Sequence, residues 1–137
     1  MARSPKTRQI LIVEDDATIR EQLAELLRYD GYDVVTAGNG RDALDELHWG
    51  LRPSVILLDL RMNVMTGWEF RAEQRKNASV ADIPVIAMTT GRWKPDDLRD
   101  FPEHVAKPIN LANLRELLDR YCEPGKYLER RQVLRAD

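Results

Sequence analysis

With only one cysteine in 137 residues, the chain can form no internal disulfide and offers no pair of the C-x-x-C type to a metal. Cys122 has no neighbouring base to activate it and reads as a small residue near a helix end. Long hydrophobic runs are missing too. Stretches such as Val55-Ile56-Leu57-Leu58 are far shorter than a bilayer requires, and Met1 to Lys6 is not followed by the apolar stretch of a signal peptide. The expectation is a cytoplasmic chain without a membrane partner. An excess of one charge is also lacking: 21 basic residues stand against 23 acidic ones, a formal net charge of −2, which is no electrostatic footprint for nucleic acid. No internal repeat, low-complexity tract or G-x-x-x-x-G-K-[ST] phosphate loop occurs. What is present, at 43% hydrophobic and 32% charged residues, is the composition of one globular domain with enough length to bury its own core.

The apolar pattern alternates between short β-branched runs and longer helical periods, the signature of a parallel sheet with helical crossovers. Strands are predicted at Gln9 to Val13, Tyr32 to Thr36, Val55 to Leu58, Val85 to Met88 and His104 to Ala106. The nearly continuous apolar runs imply a sheet covered on both faces. Ile19, Leu23, Leu26 and Leu27 form a stripe on the first helix, and Leu111, Leu114, Leu117, Leu118 and Tyr121 form one on the last. Asn39-Gly40 opens the second helix, Thr66 with Glu69 reads as a capping box for the third, and Asn110 caps the last. Pro95 and Pro102 interrupt the fourth crossover, where Leu98 and Phe101 are the apolar anchors, so any fourth helix is short. The domain is placed at residues 9–122, after an N-terminal extension over 1–8. A polar tail over 123–137, starting at Glu123-Pro124-Gly125, is expected to be solvated.

In an open parallel sheet, ligands bind outside the carboxyl ends of the strands. Glu14 and Asp15 follow the first run, Asp59 the third, Thr89 the fourth and Lys107 the fifth. Three clustered acids repel one another and suit a hard cation such as Mg²⁺, which takes carboxylate oxygens while keeping waters and a phosphate. A carboxylate can also act as a nucleophile toward phosphorus, with a lysine neutralising the transferring group. Asp59 is the best nucleophile, Lys107 the point charge, and the Thr89 hydroxyl a group able to move onto a phosphoryl oxygen.

Ile10-Leu11-Ile12-Val13-Glu14-Asp15-Asp16, Leu57-Leu58-Asp59-Leu60-Arg61-Met62, Ala87-Met88-Thr89-Thr90 and Ala106-Lys107-Pro108 resemble the motifs of two-component response-regulator receiver domains, over about Gln9 to Tyr121. The resemblance implies a flavodoxin-like, doubly wound (βα)5 fold with strand order 2-1-3-4-5. It assigns the phosphoacceptor to Asp59 and metal ligation to Asp15, Asp59 and the Arg61 backbone carbonyl, with Glu14 supporting. Phosphoryl contacts fall to Thr89 and Lys107, and a cis peptide bond is expected before Pro108. Asp16 looks like a helix cap. The implied partners are a sensor histidine kinase or histidine phosphotransfer protein and a downstream protein target, with the chain a monomer or weak homodimer.

Several positions depart from that pattern. Asn63 stands where a proline is common, Thr90 where a smaller residue is usual, and His104 where receivers commonly carry the Tyr or Phe that moves with the threonine. Thr90 and Arg61 are therefore expected to modulate access to Asp59, and the output face around His104 to be remodelled. Two other function classes compete. A phosphatase with an aspartyl nucleophile wants a second acid where Arg61 stands, and a flavin module wants a phosphate cradle where Glu14-Asp15-Asp16 stands. A receiver-like scaffold that works without phosphorylation is the remaining alternative.

Overall fold

Three of the five short strand runs, at residues 10–13, 55–58 and 85–88, have no polar interruption, as burial on both faces demands, while the two outer runs are partly polar and partly exposed. In the computed structural model, which describes residues 8–122, these runs form β1 (Gln9–Val13), β2 (Asp33–Ala37), β3 (Val55–Asp59), β4 (Val85–Thr89) and β5 (Glu103–Ala106). They make one parallel sheet in the order β2-β1-β3-β4-β5. The polar tail and most of the N-terminal extension lie outside the described residues.

The helices are α1 (Ala17–Tyr29), α2 (Gly40–His48), α3 (Gly67–Lys76) and α4 (Leu111–Tyr121). Each starts where a side-chain oxygen takes up an orphan backbone N–H. Asp16 accepts from the Ile19 amide, Asn39 from that of Asp42 and Asn110 from that of Asn113. Thr66 and Glu69 form the expected reciprocal capping box. The fourth crossover holds only a 3₁₀ turn at Pro95–Leu98, because Pro95 and the shortage of apolar side chains deny it an amphipathic face.

Alternation along the strands splits the core into two layers. Ile10, Ile12, Leu57, Ile86 and Met88 pack under α1 and α4, while Leu11, Val13, Ile56, Leu58 and Ala87 pack under α2 and α3. Phe101, fully buried, anchors the fourth crossover to the second layer, with Leu98 half-buried beside it.

Three local expectations are corrected. β2 starts and ends one residue later than expected because the Tyr32 amide donates to the Leu27 carbonyl at 3.1 Å, at the end of α1, rather than joining the sheet. Asp59 and Thr89 are the last residues of their strands rather than the residues after them. Leu26 is 46% exposed, because Leu23, Ala24 and Leu27 already fill the inward face of α1.

A longer link closes the α1 side of the sheet. The carboxylate of Asp30, 1% exposed, accepts from Arg115 Nε at 2.7 Å and Nη2 at 3.1 Å, joining the end of α1 to α4. No helix of the described residues is long and apolar enough to cross a membrane.

Candidate functional site

The carboxyl ends of β1, β3, β4 and β5 carry the predicted site residues to one rim. Parallel pairing fixes this, since Leu58 and Asp59 sit in register with Ala87 and Met88, and Thr89 with Ala106. A carboxylate oxygen each from Glu14, Asp15 and Asp59 falls within a group spanning 4.8 Å. Glu14 and Asp59 are buried, at 1% and 4% exposure. Such a cluster of hard oxygen donors fits a divalent cation of the Mg²⁺ kind, which lowers the mutual repulsion.

Lys107 supplies the counter-charge from the loop after β5. Its ammonium is ion-paired to Glu14 Oε1 and lies 3.4 Å from Asp59 Oδ2. Backbone amides hold the acids in place: Arg61 N–H donates to Asp59 Oδ1 at 3.1 Å, Asn63 N–H to Asp15 Oδ2 at 3.3 Å, and Asp16 N–H to Glu14 Oε2 at 3.2 Å. The segment after β3 thus reaches both Asp59 and Asp15, which lie 44 residues apart in the chain.

Burial pushes the Glu14 carboxyl up to about 7, and the neighbouring Asp59 adds to the rise against the opposing bond from Lys107. For Lys107, desolvation favours the neutral amine, but the hydrogen bond to Glu14 and the charges of Asp59 and Glu14 outweigh it and hold the ammonium above its ordinary range. Glu14 is the most deeply buried of the three acids.

Thr89 is 5% exposed, and its hydroxyl donates to the Val105 carbonyl at 3.4 Å, toward β5. Thr90 lies half-buried just past β4. Asp16 is a cap, as read from the sequence. The Lys107–Pro108 peptide is cis. His104 is exposed and its Nδ1 lies 3.2 Å from the Phe101 carbonyl, on a strand whose only buried residue is Val105.

Two tryptophans flank the acids, and sequence reasoning passed over both. A cleft of about 700 Å³ beside the cluster is lined by Asp15, Arg61, Asn63, Thr66, Trp68 and Trp93, among others. The Arg61 guanidinium lies over the Trp93 ring, 4.8 Å from its centroid. Trp93 meets Trp68 edge to face at 5.0 Å, and Trp68 Nε1 donates to the Asp97 carbonyl at 2.7 Å. The signal available in the sequence was Trp93 itself, a large aromatic in a crossover otherwise almost wholly polar.

Comparison with known proteins agrees with this geometry. The family model of the response regulator receiver domain matches residues 10–119. The chain belongs to this family. It is a receiver domain of the kind that serves response regulators in two-component signalling. The transcriptional regulatory protein CpxR homolog of Haemophilus influenzae is 30% identical, over 94% of this chain and 58% of that protein. The receiver chain spans little more than half the length of the curated relatives it first matches. Among solved structures, the chemotaxis protein CheY4 of Vibrio cholerae is 30% identical with a TM-score of 0.76, covering 84% of this chain and 98% of that one. The response regulator TrrA of Thermotoga maritima, solved in complex with Mg²⁺-BeF, is 32% identical with a TM-score of 0.73, covering 82% of this chain and 97% of that one. The flavodoxin-like sheet order expected from the sequence is the one observed.

Proposed function

We propose that this receiver accepts a phosphoryl group on Asp59 and changes its binding to a protein partner as a result. The observation that carries the reading is Lys107, whose ammonium sits between the carboxylates of Glu14 and Asp59 at the ends of three strands. A carboxylate oxygen of Asp59 attacks the donor phosphorus, an O–P bond forms, and the bond from phosphorus to the leaving group breaks with its electron pair passing to the leaving group, a histidine imidazole, which then takes a proton from solvent. Lys107 stabilises the charge on the phosphoryl oxygens, and the Arg61 amide holds the attacking carboxylate in place.

Mg²⁺ would be held by Asp15, Asp59 and the Arg61 carbonyl, with Glu14 supporting, and would supply neutralisation of the transferring group. The phosphorylated state draws the Thr89 hydroxyl from Val105 toward a phosphoryl oxygen, and the surface around β5, including His104, changes with it. Thr90 and the Arg61 side chain tune access to Asp59. The donor is a sensor histidine kinase or a histidine phosphotransfer protein, and the output is a downstream protein target in the cytoplasm. The receiver unit is residues 9–122, as a monomer or weak homodimer, flanked by the extension over 1–8 and the tail over 123–137. Arg61 takes the place of the second acid that an aspartyl phosphatase requires, which favours a receiver over such an enzyme.

Intact-protein mass after incubation with acetyl phosphate, with and without Mg²⁺, tests the reading. A single Mg²⁺-dependent phosphoryl adduct, absent in Asp59→Asn, is expected. A folded wild-type protein that gains no adduct would make the chain a scaffold that works without phosphorylation.

A further inference from the structure

The Arg61 side chain and its backbone serve two neighbouring places. The Arg61 amide is bonded to the phosphoacceptor, Asp59 Oδ1, at 3.1 Å. Its guanidinium lies on Trp93, near Gly91, whose positive φ of 77° turns the chain after β4 and where an added Cβ would stand 4.0 Å from Arg61 Nη2. Trp93 rests edge to face on Trp68, and Trp68 in turn on the buried Phe101, with ring centroids 6.3 Å apart. A cation at the mouth of the acidic cleft is thus connected through three rings to the core. The Trp93 indole N–H is buried with no hydrogen-bond partner among the described residues, so its stacking contacts orient the ring.

We propose that Trp93 is a positioning residue for Arg61 and that their stack sets how long a phosphoryl group survives on Asp59. This rests on the reading of Asp59 as phosphoacceptor. Because the Arg61 backbone is fixed beside Asp59, its long side chain has two alternative resting places: the Trp93 face, or the oxygens of a phosphoryl group on Asp59. A guanidinium matches phosphoryl oxygens with paired donors and is always charged. Seated there it covers the acyl phosphate and shields it from water. The Trp93 face competes for the same guanidinium, so it shortens the life of the phosphorylated state.

A half-exposed cation–π contact of this kind shifts such an equilibrium by about twofold to fivefold. Trp93→Leu is therefore expected to lengthen the phosphoryl lifetime by about that factor, and Trp93→Phe, which keeps a ring face, to stay near wild type. Decay of the adduct is followed by intact-protein mass after removal of acetyl phosphate, in wild type, Trp93→Leu, Trp93→Phe, Arg61→Met and the double variant Arg61→Met/Trp93→Leu. If Trp93 acts through Arg61, Trp93→Leu changes nothing in the Arg61→Met background. An unchanged or shortened lifetime in folded Trp93→Leu, or an equal effect of that substitution with and without Arg61, overturns the proposal. Should an adduct form on Asp59 and these variants behave alike, only the role of Trp93 is lost. Should no adduct form at all, the phosphoacceptor reading and the role of Trp93 both fall.

Discussion

Replacing Glu14 by glutamine removes the most deeply buried carboxyl of the acidic rim and keeps one oxygen as an acceptor for the Lys107 ammonium, while the Asp16 amide loses its acceptor at every pH. Burial raises this carboxyl from an ordinary 4.5 to about 7. The folded protein therefore binds a proton that the unfolded chain has already released over that interval. Stability falls as pH rises from about 4.5 to about 7, and the penalty is fully present above that range. At about 1.4 kcal/mol per pH unit, the shift from 4.5 to about 7 caps the effect at about 3–4 kcal/mol. Glu14 is only 1% exposed, so little of this is lost to solvent screening. Urea unfolding in the presence of a chelator, at several pH values between 5 and 8, measures it as the difference between wild type and Glu14→Gln. The variant is expected to gain on wild type as pH rises, and saturating Mg²⁺ to shrink the difference by favouring the ionised carboxylate. Parallel stability profiles for the two proteins would refute the assignment of this cost to Glu14.

Other perturbations reach further into the fold. Arg115→Met strands the buried Asp30 carboxylate and is expected to cost about 3 kcal/mol in urea unfolding at neutral pH; a loss well below 1 kcal/mol would mean that the pair is dispensable. Gly67→Ala places a methyl 2.6 Å from Leu60 Cδ2, 2.8 Å from Leu60 Cα and 3.1 Å from the Asp59 carbonyl. It should destabilise by about 1–3 kcal/mol and slow adduct formation, because the backbone that must yield carries the phosphoacceptor. Phe101→Ala opens a cavity under the fourth crossover and is expected to cost about 3–5 kcal/mol. Circular dichroism melts of the three variants would rank them.

The site was legible because each of its groups follows an apolar run. Strand pairing alone then brings Glu14, Asp15, Asp59, Thr89 and Lys107 together, and one-residue errors in strand ends leave the rim unchanged. Helix starts were legible for a similar reason, since Asn39, Thr66 with Glu69 and Asn110 act within three residues of themselves. Contacts between distant segments were not. Asp30 and Arg115 meet across 85 residues, and neither has a local feature that marks a buried ion pair. The Arg61, Trp93 and Trp68 stack depends on where a polar crossover lies over α3, which no periodicity encodes. The exposure of Leu26 shows the limit of stripe counting: a helix on a sheet buries a narrower face than its apolar residues could supply. His104 is exposed on β5, which among the described residues is an edge strand preceded by a 3₁₀ turn rather than a full covering helix.

The central claim, that Asp59 itself carries the phosphoryl group, is tested most directly by trapping the linkage. Borohydride reduces an acyl phosphate to an alcohol and so converts a phosphorylated aspartate to homoserine, which peptide mass spectrometry then locates. After treatment with acetyl phosphate and Mg²⁺, homoserine is expected at position 59 alone. Homoserine at Asp15 or another acid, or none in a protein that has gained the phosphoryl mass, would contradict the account.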